Sequence, residues 1–350
     1  MKRKPEYLSI YEQLRSEIAA GSYPYGTRLP SKRDLAAQHG VSVITVEHAC
    51  ALLAEEGYIQ PRQRSGCFII YREGDSFSPA PSAALPAPHR STGPEDAFPF
   101  TAYARTMRRV LTEYGEGVLQ RSDNTGCAEL RQALSRYLLR SRHMEAPAEQ
   151  IVIGAGAEYL YGLILRLLGR DRIYAIEDPS YAKIEQVYRA DGVDVRLLPL
   201  GRDGVQSAAL ADTDAGVLHI SPYRSFPSGV TASASKKREY LRWAAERSGI
   251  VIEDDFESEF TPSSKPEDTV FSLDRAGRVI YLNTFSRTIA PAVRVGYMVL
   301  PEALMARFRE ELGFYACTVP TLSQYVLAEL LDSGEFERHL NRIRRKNRRK

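Results

Sequence analysis

Residues with chemical potential gather in a few short segments of this 350-residue chain. The stretch IGAGAEYLYGL contains Gly156, Ala157 and Glu158. Backbone amides at the start of a helix hold phosphate, and glycine lets the ligand come close. A tight strand-to-helix turn needs the same glycines, so this stretch alone decides nothing. Asp178-Pro179-Ser180-Tyr181 adds an aromatic ring, and SPYRSFPSG at 221–229 adds hydroxyls and a guanidinium. Glu253-Asp254-Asp255-Phe256 adds carboxylates. Thr284-Phe285-Ser286-Arg287-Thr288, with Arg294 seven residues beyond Arg287, adds hydroxyls and further guanidiniums. A phosphate cradle, a buried Asp, a stacking Tyr and a hydroxyl/Arg cluster together suggest pyridoxal phosphate.

Each segment follows an apolar run that reads as a strand. The runs are IVIGAG (151–156), RIYAIED (172–178), AGVLHIS (215–221), GIVIEDD (249–255) and RVIYLN (278–283). Amphipathic helical patterns lie between them. Strands alternating with helices predict a mostly parallel α/β sheet, and such sheets bind ligands at their strand C-termini. This unit is expected over residues 98–350. Residues 73–97 are rich in Pro, Ala, Ser and Gly and read as a linker.

Residues 1–72 carry a different chemistry. Tyr7, Tyr11, Leu14 and Ile18 make one apolar helical stripe. Ser31 with Asp34 resembles a capping box for a second helix ending at His39-Gly40. Ser42 starts a third helix, in which Val46, Ala49, Cys50 and Leu53 face inward. Val43, Ile44, Glu47 and His48 are left outside. Two short helices joined by a glycine turn predict a helix-turn-helix whose second helix enters the major groove. YIQPR (58–62) and CFIIY (67–71) flank Gln63-Arg64-Ser65-Gly66 and predict a hairpin wing, with Arg62 and Arg64 able to reach phosphate.

The segments RLPSKRDLAAQHGVSVITVEHA, LLAEEGYI and RSGCFI resemble the winged helix of the GntR family of bacterial regulators over residues 5–71. The resemblance implies that Lys32, Arg33, Ser42, Thr45, Arg64 and Gly66 lie at DNA. Many members carry Arg where this chain has Val43 and Glu47, so guanine readout by Arg is absent there. Val43 or Ile44 would touch thymine methyls, and Glu47 would accept from cytosine.

LQRSDNTGCAELRQAL, GAGAEYLYGL, EDPSY, SFPSG, EDDFESEF and TFSRTIAPAVRVGY resemble the fold-type-I aminotransferase domain of the MocR subgroup, in which that domain follows a GntR winged helix. The implied fold class is α/β: an N-terminal winged helix-turn-helix plus a fold-type-I, pyridoxal-phosphate-dependent transferase-like large domain. The resemblance implies that Gly156, Ala157 and Glu158 offer amides to phosphate, completed by Thr284, Ser286 and Arg294. It places Tyr181 on the pyridine ring, Asp254 at the pyridinium nitrogen and Asn124 beside the substrate space.

Three departures follow. The family's Schiff-base Lys is Arg287 here, and a guanidinium stays protonated and forms no imine. The family Tyr two residues after the Asp is Phe256. The small C-terminal subdomain that grips substrate carboxylates is expected to be missing after GEFERHLNRIRRKNRRK. No catalytic residue is therefore nominated, and pyridoxal phosphate is expected to bind noncovalently if at all.

Other features narrow the function classes. The net charge is +3, yet residues 338–350 hold eight Lys or Arg and no acid. The rest of the chain has 39 basic and 44 acidic residues. This basic tail reads as the solvated face of an amphipathic helix. No apolar run reaches the ~20 residues of a membrane span, and the N-terminus has no signal-peptide core. A cytoplasmic protein is expected. The four Cys and six His form no metal spacing, and adjacent Asp254 and Asp255 would point to opposite faces of a strand. The expected protein is a transcriptional regulator binding a double-stranded operator, with an amino or phosphate effector and a homodimeric form. The alternatives are an aminotransferase using another lysine, Lys183 or Lys236, and a truncated copy that only binds DNA.

Overall fold

A 3.6-residue period drives helix α1 (Glu6–Ala19), which buries Ile10, Tyr11, Leu14 and Ile18. Ile10 heads the buried stripe in place of Tyr7, which is half-buried and packs edge-on against His48. Helix α2 (Lys32–His39) opens with a capping box between Ser31 and Asp34 and stops at Gly40, which adopts φ 65°. That left-handed conformation suits glycine and ends the helix. Helix α3 (Val43–Glu55) is capped by the Ser42 side chain and buries Val46, Ala49, Cys50 and Leu53. Strands β1 (Ile59–Arg62) and β2 (Gly66–Ile69) pair antiparallel, with Arg62 opposite Gly66. The helices and hairpin share one core containing Leu14, Leu29, Leu35, Leu53, Ile59 and Ile69.

This computed structural model describes residues 5–62, 65–72, 98–256, 258–260 and 268–347. Arg64 and the expected linker at 73–97 lie outside the described residues. The chain divides into two compact units, residues 1–90 and 91–350.

The second unit begins with α4 (Phe100–Tyr114) and α5 (Ala128–Arg142). It continues through β3 (Ile151–Gly154), α6 (Ala157–Leu168), β4 (Ile173–Asp178) and α7 (Ala182–Ala190). Next come β5 (Asp194–Gly201), β6 (Gly204–Val205), α8 (Ser207–Asp212), β7 (Val217–Ile220) and α9 (Ala234–Glu246). The last elements are β8 (Ile250–Asp254), α10 (Val270–Leu273), β9 (Val279–Thr284), β10 (Gly296–Val299), α11 (Glu302–Glu311), α12 (Thr321–Asp332) and α13 (Glu335–Asn347).

The sheet order is β3-β10-β9-β8-β7-β4-β5-β6. Strands β9, β8, β7, β4 and β5 run parallel; β10 is antiparallel to both β3 and β9, and β6 is antiparallel to β5. The mostly parallel sheet holds, but β5, β6 and β10 had no predicted counterpart. Alternate side chains feed separate cores on the two faces. Ile151 and Ile153 join α5, α12 and α13, while Val152 joins α6, α7 and α11.

The basic C-terminal segment forms α13. Phe336 and Leu340 sit in the α5/α12 core, and Arg344 Nε donates to the Glu259 carbonyl at 2.8 Å. No described helix is long and apolar enough to cross a membrane.

Candidate functional site

The helix-turn-helix presents its predicted face. Val43, Ile44, Glu47 and His48 are exposed on α3, opposite its buried stripe. Lys32 and Arg33 are exposed at the start of α2. Lys32 Nζ bonds Glu47 Oε1 at 2.9 Å, linking α2 to α3. This contact raises the Lys32 pKa and lowers that of Glu47. Sequence spacing did not reveal it, because the partners lie fifteen residues apart. Ser42 Oγ accepts from Thr45 N at 3.1 Å and meets Thr45 Oγ1 at 2.8 Å. Gly66 has φ 97°, and a Cβ there would lie 2.8 Å from Arg28 Nε. The left-handed backbone, more than contact with the flexible Arg28 side chain, favours glycine there. Arg62 stacks its guanidinium 4.4 Å from the Phe68 ring centroid.

In the sheet unit, the C-terminal ends of β8 and β9 and the start of α6 enclose a cavity of about 300 Å³. Its lining includes Ala157, Glu158, Tyr181, Asp254, Phe256, Thr284, Ser286, Arg287 and Arg294. Gly156 caps α6 at φ 89°, and a Cβ there would stand 3.0 Å from Arg294 Nη2. Arg294 itself has φ 48°, a left-handed conformation uncommon outside glycine. Its Nη2 lies 3.2 Å from Glu158 Oε2, while Lys183 Nζ lies 2.7 Å from Glu158 Oε1. The Lys183 hydrogen bond, helped by Arg294, holds the Glu158 carboxyl below its usual pKa.

Asp254 ends β8 and is buried. Its Oδ2 accepts from the Tyr161 hydroxyl and lies 3.6 Å from His219 Nε2. His219 Nδ1 in turn meets the Tyr188 hydroxyl at 2.6 Å. Asp254 Oδ1 has no hydrogen-bond partner among the described residues. Burial, followed by the Asp254 charge, pushes the Tyr161 phenol well above its ordinary pKa, so Tyr161 remains a donor. Asp255 turns to the other face, where Arg142 Nη2 and Tyr281 Oη reach its Oδ2 at 3.1 and 2.7 Å.

Arg287 is exposed, with its guanidinium over the Phe260 ring at 5.6 Å. Burial and then Arg224 lower its pKa. Tyr181 precedes α7, and its ring meets Phe226 edge-on at 6.3 Å.

Two expected neighbours are elsewhere. Asn124 is absent from the cavity lining; it donates to the Gly313 carbonyl at 2.6 Å and accepts from Arg121 at 2.7 Å. Lys236 is buried against Ser207 and Glu239, at 2.9 and 2.8 Å. Sequence reasoning missed Tyr161, Phe226 and His219. Tyr161 follows Ala157 by one helical turn and shares its face, and His219 is a polar residue inside a buried strand. Both signals were available.

Residues 6–69 match the model of bacterial regulatory proteins, gntR family, and residues 92–350 match aminotransferase class I and II. The chain is 31% identical over 358 residues to the uncharacterized HTH-type transcriptional regulator YdeL of Bacillus subtilis (strain 168), covering 99% of this chain and 77% of YdeL. It is 28% identical over 367 residues to the probable rhizopine catabolism regulatory protein MocR of Rhizobium meliloti, covering 97% and 74%. Among solved structures, kynurenine aminotransferase from Pyrococcus horikoshii, in complex with PMP, aligns with a TM-score of 0.63 and 28% identity. That alignment covers 71% of this chain and 64% of the aminotransferase, so this chain spans less than two thirds of that neighbour.

Proposed function

This chain belongs to the MocR subgroup of the GntR family of bacterial regulators, a winged helix joined to an aminotransferase class I/II domain; from that premise we propose a transcriptional regulator whose second unit senses a pyridoxal-type ligand without catalysing transamination. The observation that carries this reading is Arg287, which lines an otherwise well-furnished cavity at the family's lysine position.

The aminotransferase fold family normally binds pyridoxal phosphate, and the residues present fit it apart from its covalent anchor. The unpartnered Asp254 Oδ1 offers an acceptor for a ring N–H. The first amides of α6, the Thr284 and Ser286 hydroxyls and Arg294 would hold the phosphate. Tyr181 would cover the ring. When bound, the group supplies an electron-withdrawing pyridinium. Tyr161 holds the Asp254 carboxylate in place through its hydroxyl, with His219 Nε2 3.6 Å away. Phe256 offers no phenol to the ring oxygen. Arg287 keeps its proton near neutral pH, so it neither forms the covalent link nor moves a proton during catalysis.

The winged unit would bind a double-stranded operator through Lys32, Arg33, Ser42, Thr45 and the wing. Arg64 belongs to that expected set but lies outside the described residues. A homodimer would read two half-sites, and a DNA-bound regulator of this kind acts in the cytoplasm. The effector class is a small amino or phosphate compound.

The test is a titration of the full chain with pyridoxal phosphate, followed by fluorescence, visible absorbance, borohydride reduction and mass. Saturable binding with no fixed adduct is expected. An adduct fixed on a lysine overturns the noncovalent reading and favours an enzyme. Lys183 is then the first candidate, because it bonds the cavity residue Glu158. Absence of any binding overturns the sensor reading.

A further inference from the structure

Polar recognition on the outer face of α3 is concentrated in one pair. Val43 and Ile44 are exposed and carry no hydrogen-bonding side-chain atom. Thr45 is turned to the Ser42 hydroxyl at the helix start, and His48 packs edge-on against Tyr7 of α1. Glu47 lies one helical turn beyond Val43 and Ile44, on the same face. Its Oε1 receives Lys32 Nζ from α2 at 2.9 Å, and both side chains are about half exposed. Among the described residues, no other hydrogen bond takes Lys32 Nζ or Glu47 Oε2. The pair therefore keeps an acceptor and ammonium hydrogens free, side by side.

That spacing has a match in the major groove. In a C·G base pair the cytosine N4–H bonds the guanine O6, so donor and acceptor stand about 2.9 Å apart. A carboxylate meets the donor and an ammonium meets the acceptor, with guanine N7 as a second acceptor beside O6. An A·T pair offers the same order, adenine N6–H and then thymine O4. Beyond O4, however, stands a methyl group in place of a second acceptor. G·C and T·A present the order reversed, so the ammonium faces a donor and the carboxylate faces an acceptor. Groups left unpaired in this way cost binding energy. Lys32 also cancels a charge that phosphates would otherwise repel.

We propose that Lys32 and Glu47 act as one reading unit, which recognises a single C·G base pair of the operator by both of its major-groove edges. This rests on the operator-binding reading above and specifies what the operator contains. Glu47 accepts from cytosine N4, and Lys32 donates to guanine O6 and N7. Val43 and Ile44, the latter 65% exposed, cover thymine methyls on the neighbouring step. The carboxylate alone would fix only the cytosine; its partner on α2 fixes the orientation of the whole base pair.

The test lets the full chain select from duplexes with a randomised core. The recovered motif is then titrated by fluorescence anisotropy, with each base pair replaced in turn. One position should prefer C·G, with A·T second, and reversing it to G·C should weaken binding by about tenfold or more. The double variant Lys32→Glu with Glu47→Lys keeps the ion pair but exchanges its polarity. It should turn the preference at that one position to G·C. Preferences kept elsewhere in the motif show that the variant is folded and docked. If the exchanged chain binds no duplex, Glu47→Ala decides: loss of the C·G preference upholds the assignment, and its persistence overturns it. A motif in which no position responds to either change overturns the paired readout and leaves operator binding standing. Failure to enrich any duplex overturns the operator reading and this inference with it.

Discussion

The winged unit and the sheet unit preserve their architectures in different ways. The first is built from local devices: a capping box, a left-handed glycine stop, a serine cap and a short hairpin. The departure expected there is on the exposed face of α3, where Val43 and Glu47 stand away from the core. The second unit is built from distant segments that meet at strand ends. The departure expected there, Arg287, lines the cavity. A departure on the surface would retune recognition, whereas one at the cavity would alter what chemistry remains available.

The sharpest way to break this contrast is Arg287→Lys. If the surrounding shell is intact, the variant should gain a borohydride-fixed adduct approaching one per chain, seen by mass. Failure to gain it would mean that Phe256 or another change has also removed competence. Next in size is Arg294→Ala, which removes a charged phosphate contact. Phosphopyridoxyl affinity should fall by about 2–3 kcal/mol, roughly a hundredfold, in a fluorescence titration. Undiminished binding would refute the phosphate cup.

The buried carboxyls distinguish the units further. Burial raises Glu177 to about 7, although Ser225 Oγ and Ser221 N donate to it at 2.6 and 3.2 Å. The folded state therefore prefers the protonated acid. The corresponding stability is present below the unfolded value near 4.5 and is lost as pH rises through about 7. Urea unfolding at pH 5 and pH 8 should show a fall that Glu177→Gln reduces by about 2 kcal/mol. Glu253 and Glu259, also near 7 through burial, should keep part of the slope. An unchanged slope would remove Glu177 from this account.

The smaller effects are on the DNA side. Arg33→Ala should weaken operator binding by about 1.4 kcal/mol, roughly tenfold, with a shallower salt dependence. Ser31→Ala should cost the winged unit about 1 kcal/mol in thermal or urea unfolding, through loss of its cap. An operator affinity insensitive to Arg33 would place the DNA face elsewhere.

Legibility in sequence follows the same division. Ser31, Asp34, Gly40 and Ser42 act within a few residues, so their spacing announced α2 and α3. The parallel strands were visible as apolar runs. By contrast, β5 mixes exposed and buried positions, β6 spans two residues, and β10 pairs with β3 across more than a hundred residues. Their places depend on strand order, which local pattern does not encode. In the cavity, residue types at strand ends located Asp254, Ser286 and Arg294. The pairings were hidden: Lys183 with Glu158, and Tyr161 with Asp254. Asn124 shows the converse, a motif residue whose side chain is spent on a loop carbonyl instead of the cavity.

The bare oxygen of Asp254 has a thermodynamic consequence. A buried acceptor without a donor costs a folded protein about 1–3 kcal/mol. A ligand that brings an N–H to it recovers that cost only in the native state, so ligand binding must also raise the unfolding temperature. A guest donating an N–H to Asp254 Oδ1 would register as tightening of the fold around the end of β8.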